Sequence, residues 1–262
     1  MMANARILAS IMICAGLIGT AGQASAERLV ASLSNHRVMV TSSFAGELLV
    51  LFGSVEQDRA SVLRRGGYDL VVTVRGPRRP VRTRRKDRVL GIWVNVESRV
   101  FVDAPAYLAV LTNRDIAQIA DAETLHREQI GIENYLLPQR IGADIGDVVR
   151  DDPFRTAFIR LKKERGLYRD NFKAVTFLTP TLFRAAIPLP AEVPVGNYAI
   201  DIKLFADGTQ ITRANSALEI VKVGFEQFVS NAANNHGILY GLATTIMALL
   251  IGWLGAVVFR KD

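Results

Sequence analysis

Apolar residues form one long run near each end of the chain, and the two runs differ in length. The first spans residues 7–18, and the small-residue triplet Ala24-Ser25-Ala26 follows it after a polar step. A run of about a dozen residues is too short to span a bilayer, and the triplet is typical of a signal peptidase site. The second run, residues 238–259, would form a helix about 33 Å long. The pattern predicts a cleaved signal peptide over residues 1–26 and one transmembrane helix over residues 238–259.

The charges beside the second run predict its orientation. Arg260 and Lys261 follow it directly, whereas the last charge before it is Glu226. Basic residues favour the cytoplasmic side, so the tail of residues 260–262 is expected in the cytoplasm. The signal peptide requires the same orientation. We therefore expect a single-pass protein of the inner membrane whose exported domain lies in the periplasm.

Short β-branched or aromatic runs fill the first part of the exported domain. Turn signals such as Gly66-Gly67 and Gly76-Pro77 separate them, which is typical of antiparallel strands. The predicted strands cover residues 37–40, 47–55, 68–75, 89–96 and 107–111. This spacing indicates an immunoglobulin-like antiparallel sandwich, with a barrel as the alternative, because periodicity does not distinguish a closed sheet from two packed sheets.

The middle of the chain is helical in pattern. Asp152 and Pro153 read as an N-cap and first helical residue, Phe154 and Phe158 start an apolar stripe, and Gly166 closes the helix. A second, less regular helical stretch is predicted over residues 115–137.

Strands resume after this helical part. They are predicted over residues 182–189, 198–204 and 218–223, with Asp207-Gly208 as a hairpin turn. The approach to Tyr198 resembles a sandwich corner in which a tyrosine hydroxyl binds the preceding backbone. The predicted fold is mainly β: two immunoglobulin-like sandwich units with a helical insertion, plus the C-terminal transmembrane helix. The expected segments are a first β unit (27–112), the insertion (113–171), a second β unit (172–224) and a juxtamembrane segment (225–237).

Small residues recur along one face of the predicted transmembrane helix. Such a stripe lets another helix approach closely, although glycine and alanine are also simply common in membrane helices. A polytopic partner and a self-dimer are both open. The candidate association residues are Gly241, Thr245, Ala248, Gly252 and Ala256.

Positive charge is concentrated in one segment. The chain has 32 basic and 25 acidic residues, yet residues 64–88 alone contain ten basic residues against two acidic ones. Alternation along residues 81–88 places Arg82, Arg84, Lys86 and Arg88 on one side of a strand, with Val81 and Thr83 on the other. The segment predicts a surface that meets an anion: a lipid headgroup, an acidic partner or a small oxyanion. A solvated edge that prevents strand aggregation is the alternative. The candidate anion- or partner-binding residues are Arg78, Arg79, Arg82, Arg84, Arg85, Lys86 and Arg88.

The sequence offers little for catalysis. Its only cysteine, Cys14, lies in the signal peptide. Glu123 and His126 have helical i, i+3 spacing, but two ligands do not make a metal site, and no hydrolase elbow or phosphate-binding glycine loop occurs. We expect no enzyme activity, no cofactor and no metal. Nucleic acid is not an expected partner either, because an exported, tethered domain rarely meets it.

Several separated motifs resemble a family of predicted single-pass transmembrane proteins from alphaproteobacteria. The motifs are Arg75-Gly76-Pro77, Gly91-Ile92-Trp93-Val94-Asn95, Gly166-Leu167-Tyr168-Arg169, Phe183-Arg184-Ala185 leading to Pro190, and Tyr240-Gly241 through Gly252-Trp253 to Phe259-Arg260. The resemblance implies the topology and carries over no catalytic residue. It also implies a membrane partner, a permease that resembles anion exporters.

Two functions from different classes follow. The favoured one is a membrane-anchored periplasmic interaction or accessory module that assists a membrane transporter or envelope complex. The alternative is a periplasmic sensor that binds an anion or other solute. A stable complex through the helix would favour the first, and ligand-dependent stabilisation of residues 27–236 would favour the second.

Overall fold

The computed structural model describes residues 27–56, 67–141, 144–147, 152–224, 229 and 233–258. The predicted signal peptide and tail lie outside these residues, as do Arg64, Arg65 and most of the juxtamembrane segment. The strands are β1 Arg28–Leu33, β2 Arg37–Val40, β3 Gly46–Glu56, β4 Asp69–Arg75, β5 Arg78–Val89, β6 Ile92–Pro105, β7 Leu108–Thr112, β8 Pro138–Ile141, β9 Asp144–Asp147, β10 Tyr168–Asn171, β11 Val175–Phe177, β12 Leu182–Pro190, β13 Gly196–Ala206 and β14 Thr209–Lys222. The helices are α1 Ile116–Ile119, α2 Ala122–Arg127, a 3₁₀ turn Ile132–Asn134, α3 Pro153–Glu164 and α4 Gly237–Val258.

The described strands form three sheets. Sheet A has the order β1-β3-β12-β11, sheet B the order β10-β7-β4-β13-β14-β2, and sheet C the order β5-β6-β8-β9. Alternate side chains of sheets A and B face each other in one apolar core, for example Leu51 and Ile187 from sheet A and Val72 and Ile202 from sheet B. The mainly β prediction is confirmed.

The strands before and after the helical part are interleaved. β3 pairs with β12 in sheet A, and β4 pairs with β13 in sheet B, both antiparallel. Segments 27–112 and 172–224 therefore contribute to the same two sheets and one shared core, rather than to separate sandwich units. The sequence could not predict this because β3 and β4 pair with strands that come late in the chain. Local periodicity indicates which face of a strand is apolar, but not which distant strand it pairs with.

The outer face of sheet B is covered over β4, β7 and β13. Val71, Val110 and Phe205 point away from the shared core and pack on Ile119 and Leu125 of the short helices. The predicted helical stretch 115–137 is not one helix. It breaks after α1, where Ala120 is extended, and again after α2, because Gln129 and Gly131 both adopt positive φ.

Three predicted local features agree with the structure: the cap of α3, the turn after β13 and the tyrosine corner. Asp152 caps α3 by accepting from the Arg155 N–H, and Gly166 follows it at φ 67°. Asp207 and Gly208 form the two-residue turn between β13 and β14. The Tyr198 hydroxyl donates to the Pro194 carbonyl at 2.6 Å, which confirms the predicted tyrosine corner.

The last residues of β4 and β14 and the first residues of β13 lie at the same end of sheet B, which we name the exit end. β4 ends where β13 begins, since Arg75 pairs with Ala199, and β14 ends there too, since Ile220 pairs with Gly196. β14 is the last described strand before α4. The chain therefore leaves the sandwich towards α4 from the exit end.

α4 confirms the predicted transmembrane element. It has 22 residues and a mean hydropathy of 2.0, which is long and apolar enough to cross a membrane, and among the described residues no other helix is. No residue of α4 is buried against the other residues that the structure describes.

Candidate basic arm and cleft

The β5–β6 hairpin projects from the exit end. Its root is held there because the Gly76 N–H donates to the Tyr107 carbonyl and the Ala106 N–H donates to the Pro77 carbonyl, both at 2.8 Å. All residues from 84 to 96 are exposed, and we name this part the arm. At about 3.3 Å per residue, the six β5 residues of the arm extend about 20 Å beyond the last half-buried one, Thr83.

The arm corrects one sequence prediction. A single strand was expected over residues 89–96, but the chain reverses at Leu90-Gly91, whose φ angles are 50° and 84°. Both central residues with positive φ define a type I′ hairpin turn, for which asparagine or aspartate before glycine is the usual signal. A leucine in that position concealed the turn within an apolar run.

The predicted alternation holds at the foot of β5. Val81 and Thr83 are half-buried, whereas Arg82 and Arg84 are exposed. Beyond Thr83 both faces of the hairpin are open to solvent, so Arg85 and Lys86 are exposed as well.

The seven predicted basic residues divide into two groups. Arg78 pairs with Asp103, Arg85 lies 3.5 Å from Glu97, Arg79 donates to the Val195 carbonyl, and the Arg88 guanidinium lies 5.9 Å from the centroid of the Trp93 ring. Arg82, Arg84 and Lys86 form no ion pair with any residue that the structure describes. These three cations are available to an external anion.

A cleft of about 580 Å³ lies between β5 and α3. Its wall on α3 is apolar, formed by Phe154, Ala157, Phe158 and Leu161. Its rim carries cations from both elements: Arg82, Arg84, Arg85, Lys86, Arg160, Lys162 and Arg165. An apolar floor under a cationic rim suits an anionic ligand with an apolar part.

Lys162 connects the cleft to the exit end. Its ammonium donates to the Ala106 carbonyl at 3.4 Å and lies 5.6 Å from the Phe158 ring and 5.7 Å from the Tyr168 ring. Burial, and next the charge of Arg165, lower the pKa of Lys162. The sequence did not single out Lys162, because its hydrogen-bond acceptor, the Ala106 carbonyl, lies 56 residues earlier in the chain.

The wall of the cleft is held by a buried carboxylate. Asp152 accepts from Arg99 at 2.7 Å, from Gln139 at 2.9 Å and from the Arg155 N–H at 2.9 Å. The Arg99 guanidinium also lies 4.6 Å from the Phe154 ring. Asp152 therefore joins α3 to β6 and β8 and fixes the wall relative to β5.

The small-residue stripe lies on α4 as predicted. Gly241, Thr245, Ala248, Gly252 and Ala256 are all exposed, so no described part of the chain covers them. The Thr245 hydroxyl donates to the Gly241 carbonyl at 2.8 Å, which satisfies the polar group within the helix. A Cβ added at Gly252 would meet no atom of a described residue within 4 Å.

The described residues contain no group of three or more histidine, cysteine, aspartate or glutamate side chains arranged to hold a metal ion. Glu123 and His126 are exposed on α2, away from the cleft.

Comparison with family models gives one match over residues 28–261, to the family described as "Putative transmembrane protein (Alph_Pro_TM)". The match covers the sandwich, the arm, the cleft and α4 together. Comparison with curated proteins gives no match.

Proposed function

Since this chain belongs to the Alph_Pro_TM family of transmembrane proteins, we propose that it is a membrane-anchored accessory module that binds another membrane protein through its basic cleft. The sandwich lies on the periplasmic side of the inner membrane, and α4 is the anchor. The partner is a transporter or a component of an envelope complex, and an anion exporter-like permease is the favoured transporter class. The module acts by binding, with no catalysis of its own.

One observation carries this proposal: beside the exit end, the cleft combines an apolar wall with three cations that form no ion pair with any described residue. Arg82, Arg84 and Lys86 supply the cations, and Leu161 is an exposed apolar residue on that wall. Charges left without partners on a folded surface favour association with a complementary acidic surface. The exit end is also the part of the sandwich from which the chain continues to the membrane, so a membrane protein would meet it there.

α4 supports the same proposal by a separate route. Its small-residue stripe is uncovered, and small residues at four-residue spacing are typical of close helix contacts in membranes. A partner with a transmembrane helix could therefore contact the chain twice, at the stripe and at the cleft. Two weak contacts on one partner reinforce each other, since the second contact forms at high effective concentration.

Affinity purification in mild detergent tests the proposal. The full chain is purified beside a variant with Arg82→Glu, Arg84→Glu and Arg85→Glu, and the co-purifying membrane proteins are quantified. Reversing the charge of Arg82 and Arg84, which form no ion pair with any described residue, and of Arg85, which lies beside Glu97, should reduce the recovered partner about tenfold, if each change is worth about 0.5 kcal/mol.

A matched control carries the same change of charge elsewhere. Arg28→Glu, Lys173→Glu and Arg184→Glu alter exposed residues of sheet A and the loop beside it. This variant should retain the partner. Equal recovery with both variants would exclude the cleft as the binding surface.

A sensor that binds an anion or other solute is the second candidate, because the cleft volume of about 580 Å³ is sufficient for a small ligand. A thermal-shift screen of the full chain in detergent with phosphate, sulfate and organic anions tests it. Saturable stabilisation that the Arg82, Arg84, Arg85 variant loses would favour the sensor. A transition temperature that no anion changes would leave the accessory module.

A further inference from the structure

We infer that the tip of the arm inserts into the lipid leaflet next to the sandwich, and so gives the chain a second attachment to the membrane. The occupant is anionic lipid. This inference rests on α4 and on the arm, and it does not depend on a protein partner in the cleft.

The tip exposes an unusual amount of apolar surface. Leu90 is 98% exposed, Ile92 69% and Trp93 65%, and Val89 and Val94 beside them are also exposed. Single exposed apolar residues are common, but a contiguous group at the end of a projecting hairpin marks an interaction site. Trp93 adds specificity for a bilayer, because an indole ring is favoured at the boundary between headgroups and hydrocarbon.

Leu90 occupies the outermost position at a conformational cost. Its φ of 50° lies in the left-handed region, which a bulky side chain rarely adopts and which asparagine or glycine would accept more readily. No described residue covers its side chain, so packing within the fold does not account for a leucine there. A leucine that strains the backbone at a fully exposed position is better explained by a contact outside the chain.

Cations surround the apolar tip on the side towards the sandwich. Arg84, Arg85, Lys86 and Arg88 precede it along β5, with Asp87 as the one acidic residue of the arm. Arg88 lies against the Trp93 ring, which places a cation directly beside the interfacial residue. This arrangement suits insertion into an anionic leaflet. The apolar tip would contact the hydrocarbon, and the cations behind it would contact the headgroups.

The root of the arm and the path to the membrane lie together. Gly196, which pairs with Ile220 near the end of β14, packs so closely on Pro77 that an added Cβ would lie 3.0 Å from Pro77 Cγ. Arg79 also donates to the Val195 carbonyl. The arm thus projects from the exit end, and the chain leaves that same end for α4.

The length of β5 and the reach of the segment between β14 and α4 are compatible with contact between the arm and the bilayer that α4 spans. The 12 residues of β5 extend about 40 Å at ~3.3 Å per residue. The 14 residues 223–236 between β14 and α4 can reach at most about 50 Å. A sandwich tethered by that segment stays within reach of a bilayer that the arm can touch.

Tryptophan fluorescence of the full chain in vesicles tests the insertion. The chain has two tryptophans, Trp93 on the arm and Trp253 on α4. Trp253→Phe leaves Trp93 as the single probe. The protein is reconstituted into phosphatidylglycerol-containing or phosphatidylcholine vesicles, each with and without brominated acyl chains.

Insertion predicts that brominated lipid quenches Trp93, that the lipid shields Trp93 from acrylamide, and that both effects are stronger with phosphatidylglycerol. Removing one cation of the arm, by Lys86→Gln, should weaken the attraction to the anionic surface about fivefold. Trp93 that acrylamide reaches freely and brominated lipid does not quench would overturn the inference. It would leave an acidic protein groove as the contact of the arm, without affecting the proposed role of the cleft.

Two variants provide the control. Leu90→Asn with Ile92→Thr removes apolar surface at the tip while giving the turn and the strand residues they accept more readily. This variant should fold normally and lose the quenching of Trp93. Met39→Asp alters another exposed apolar residue, on β2, and should leave the quenching unchanged. Equal quenching in both variants would contradict insertion through the tip.

Discussion

The Asp152 carboxylate accepts a hydrogen bond from Arg99 at 2.7 Å and thereby ties the start of α3 to β6. Asp152 is buried, and its second oxygen accepts from Gln139 and from the Arg155 N–H. Asp152 is therefore both the N-cap of α3 and the residue that links the cleft wall to β6 and β8. The geometry of the proposed binding surface depends on these hydrogen bonds.

Replacing Asp152 should lower the free energy of unfolding more than replacing an ordinary N-cap residue does. Asp152→Asn keeps a capping oxygen but loses the charge that Arg99 requires, so the free energy of unfolding should fall by about 1.5–3 kcal/mol. Urea unfolding measures the change. Asp115→Ala removes the exposed cap of α1 and should cost less. Equal losses would contradict the role of the Arg99 contact.

A second prediction concerns Lys203, which is buried on the outer face of sheet B. Its ammonium donates to the Glu128 carbonyl at 2.6 Å and lies 3.0 Å from the Glu128 carboxylate. Lys203→Ala should reduce the free energy of unfolding by about 2–4 kcal/mol, because it leaves these acceptors unsatisfied. Lys222→Ala, at an exposed lysine of β14, should change it little. Urea unfolding of both variants decides.

A third prediction concerns alkaline pH. Burial raises the pKa of Tyr107, Tyr168 and Tyr198, and each hydroxyl donates to a backbone carbonyl. A raised pKa in the folded state contributes stability that is fully present below the unfolded value and is lost as pH rises above it. The transition temperature should therefore fall above about pH 10.

Tyr198→Phe isolates one of these contributions. It should cost about 1 kcal/mol at neutral pH, because the Pro194 carbonyl loses its donor. It should also flatten the fall in stability above about pH 10, since one of the three groups no longer titrates. Thermal unfolding followed from neutral to alkaline pH measures both effects. An unchanged alkaline slope would show that Tyr198 does not contribute to it.

A fourth prediction concerns the stripe on α4. Gly252→Ile should abolish helix association in a membrane two-hybrid assay, because the added side chain separates the two helices. No described residue obstructs the added side chain, so a loss of association would indicate contact with a partner helix. Leu254→Ile, on the opposite face, is the control and should associate normally. Unchanged association of the Gly252 variant would exclude the stripe as the contact.

Six of the eight strands predicted from local patterns agree with described strands within two residues, yet local patterns did not predict the turn of the arm. Residues 89–96 are apolar and β-prone, so periodicity predicts one strand, whereas the fold places Leu90 in a turn and exposes its neighbours. Nothing in the local sequence shows that the hairpin extends beyond the sheet. The exposure of Trp93 follows only from the three-dimensional arrangement.

Two polar residues of β13 are buried although their sequence pattern is typical of a solvent-exposed face. Asp201 and Lys203 alternate with apolar residues and therefore indicate a solvent face, and the alternation itself is correct. The structure buries both, because the segment with α1 and α2 covers that face of sheet B. The partner of Lys203 is 75 residues away along the chain. Sequence alone gives no means of pairing groups at that separation.

Photo-crosslinking from the cleft tests the proposed function most directly. A photoreactive phenylalanine derivative replaces Leu161 on the cleft wall, or Met39 as the control, in cells that produce the full chain. We expect an adduct between position 161 and another integral membrane protein, its loss when Arg82, Arg84 and Arg85 are changed to glutamate, and no such adduct from position 39. A folded, membrane-bound chain that forms no adduct from position 161, or forms one that the charge reversal does not affect, would contradict it.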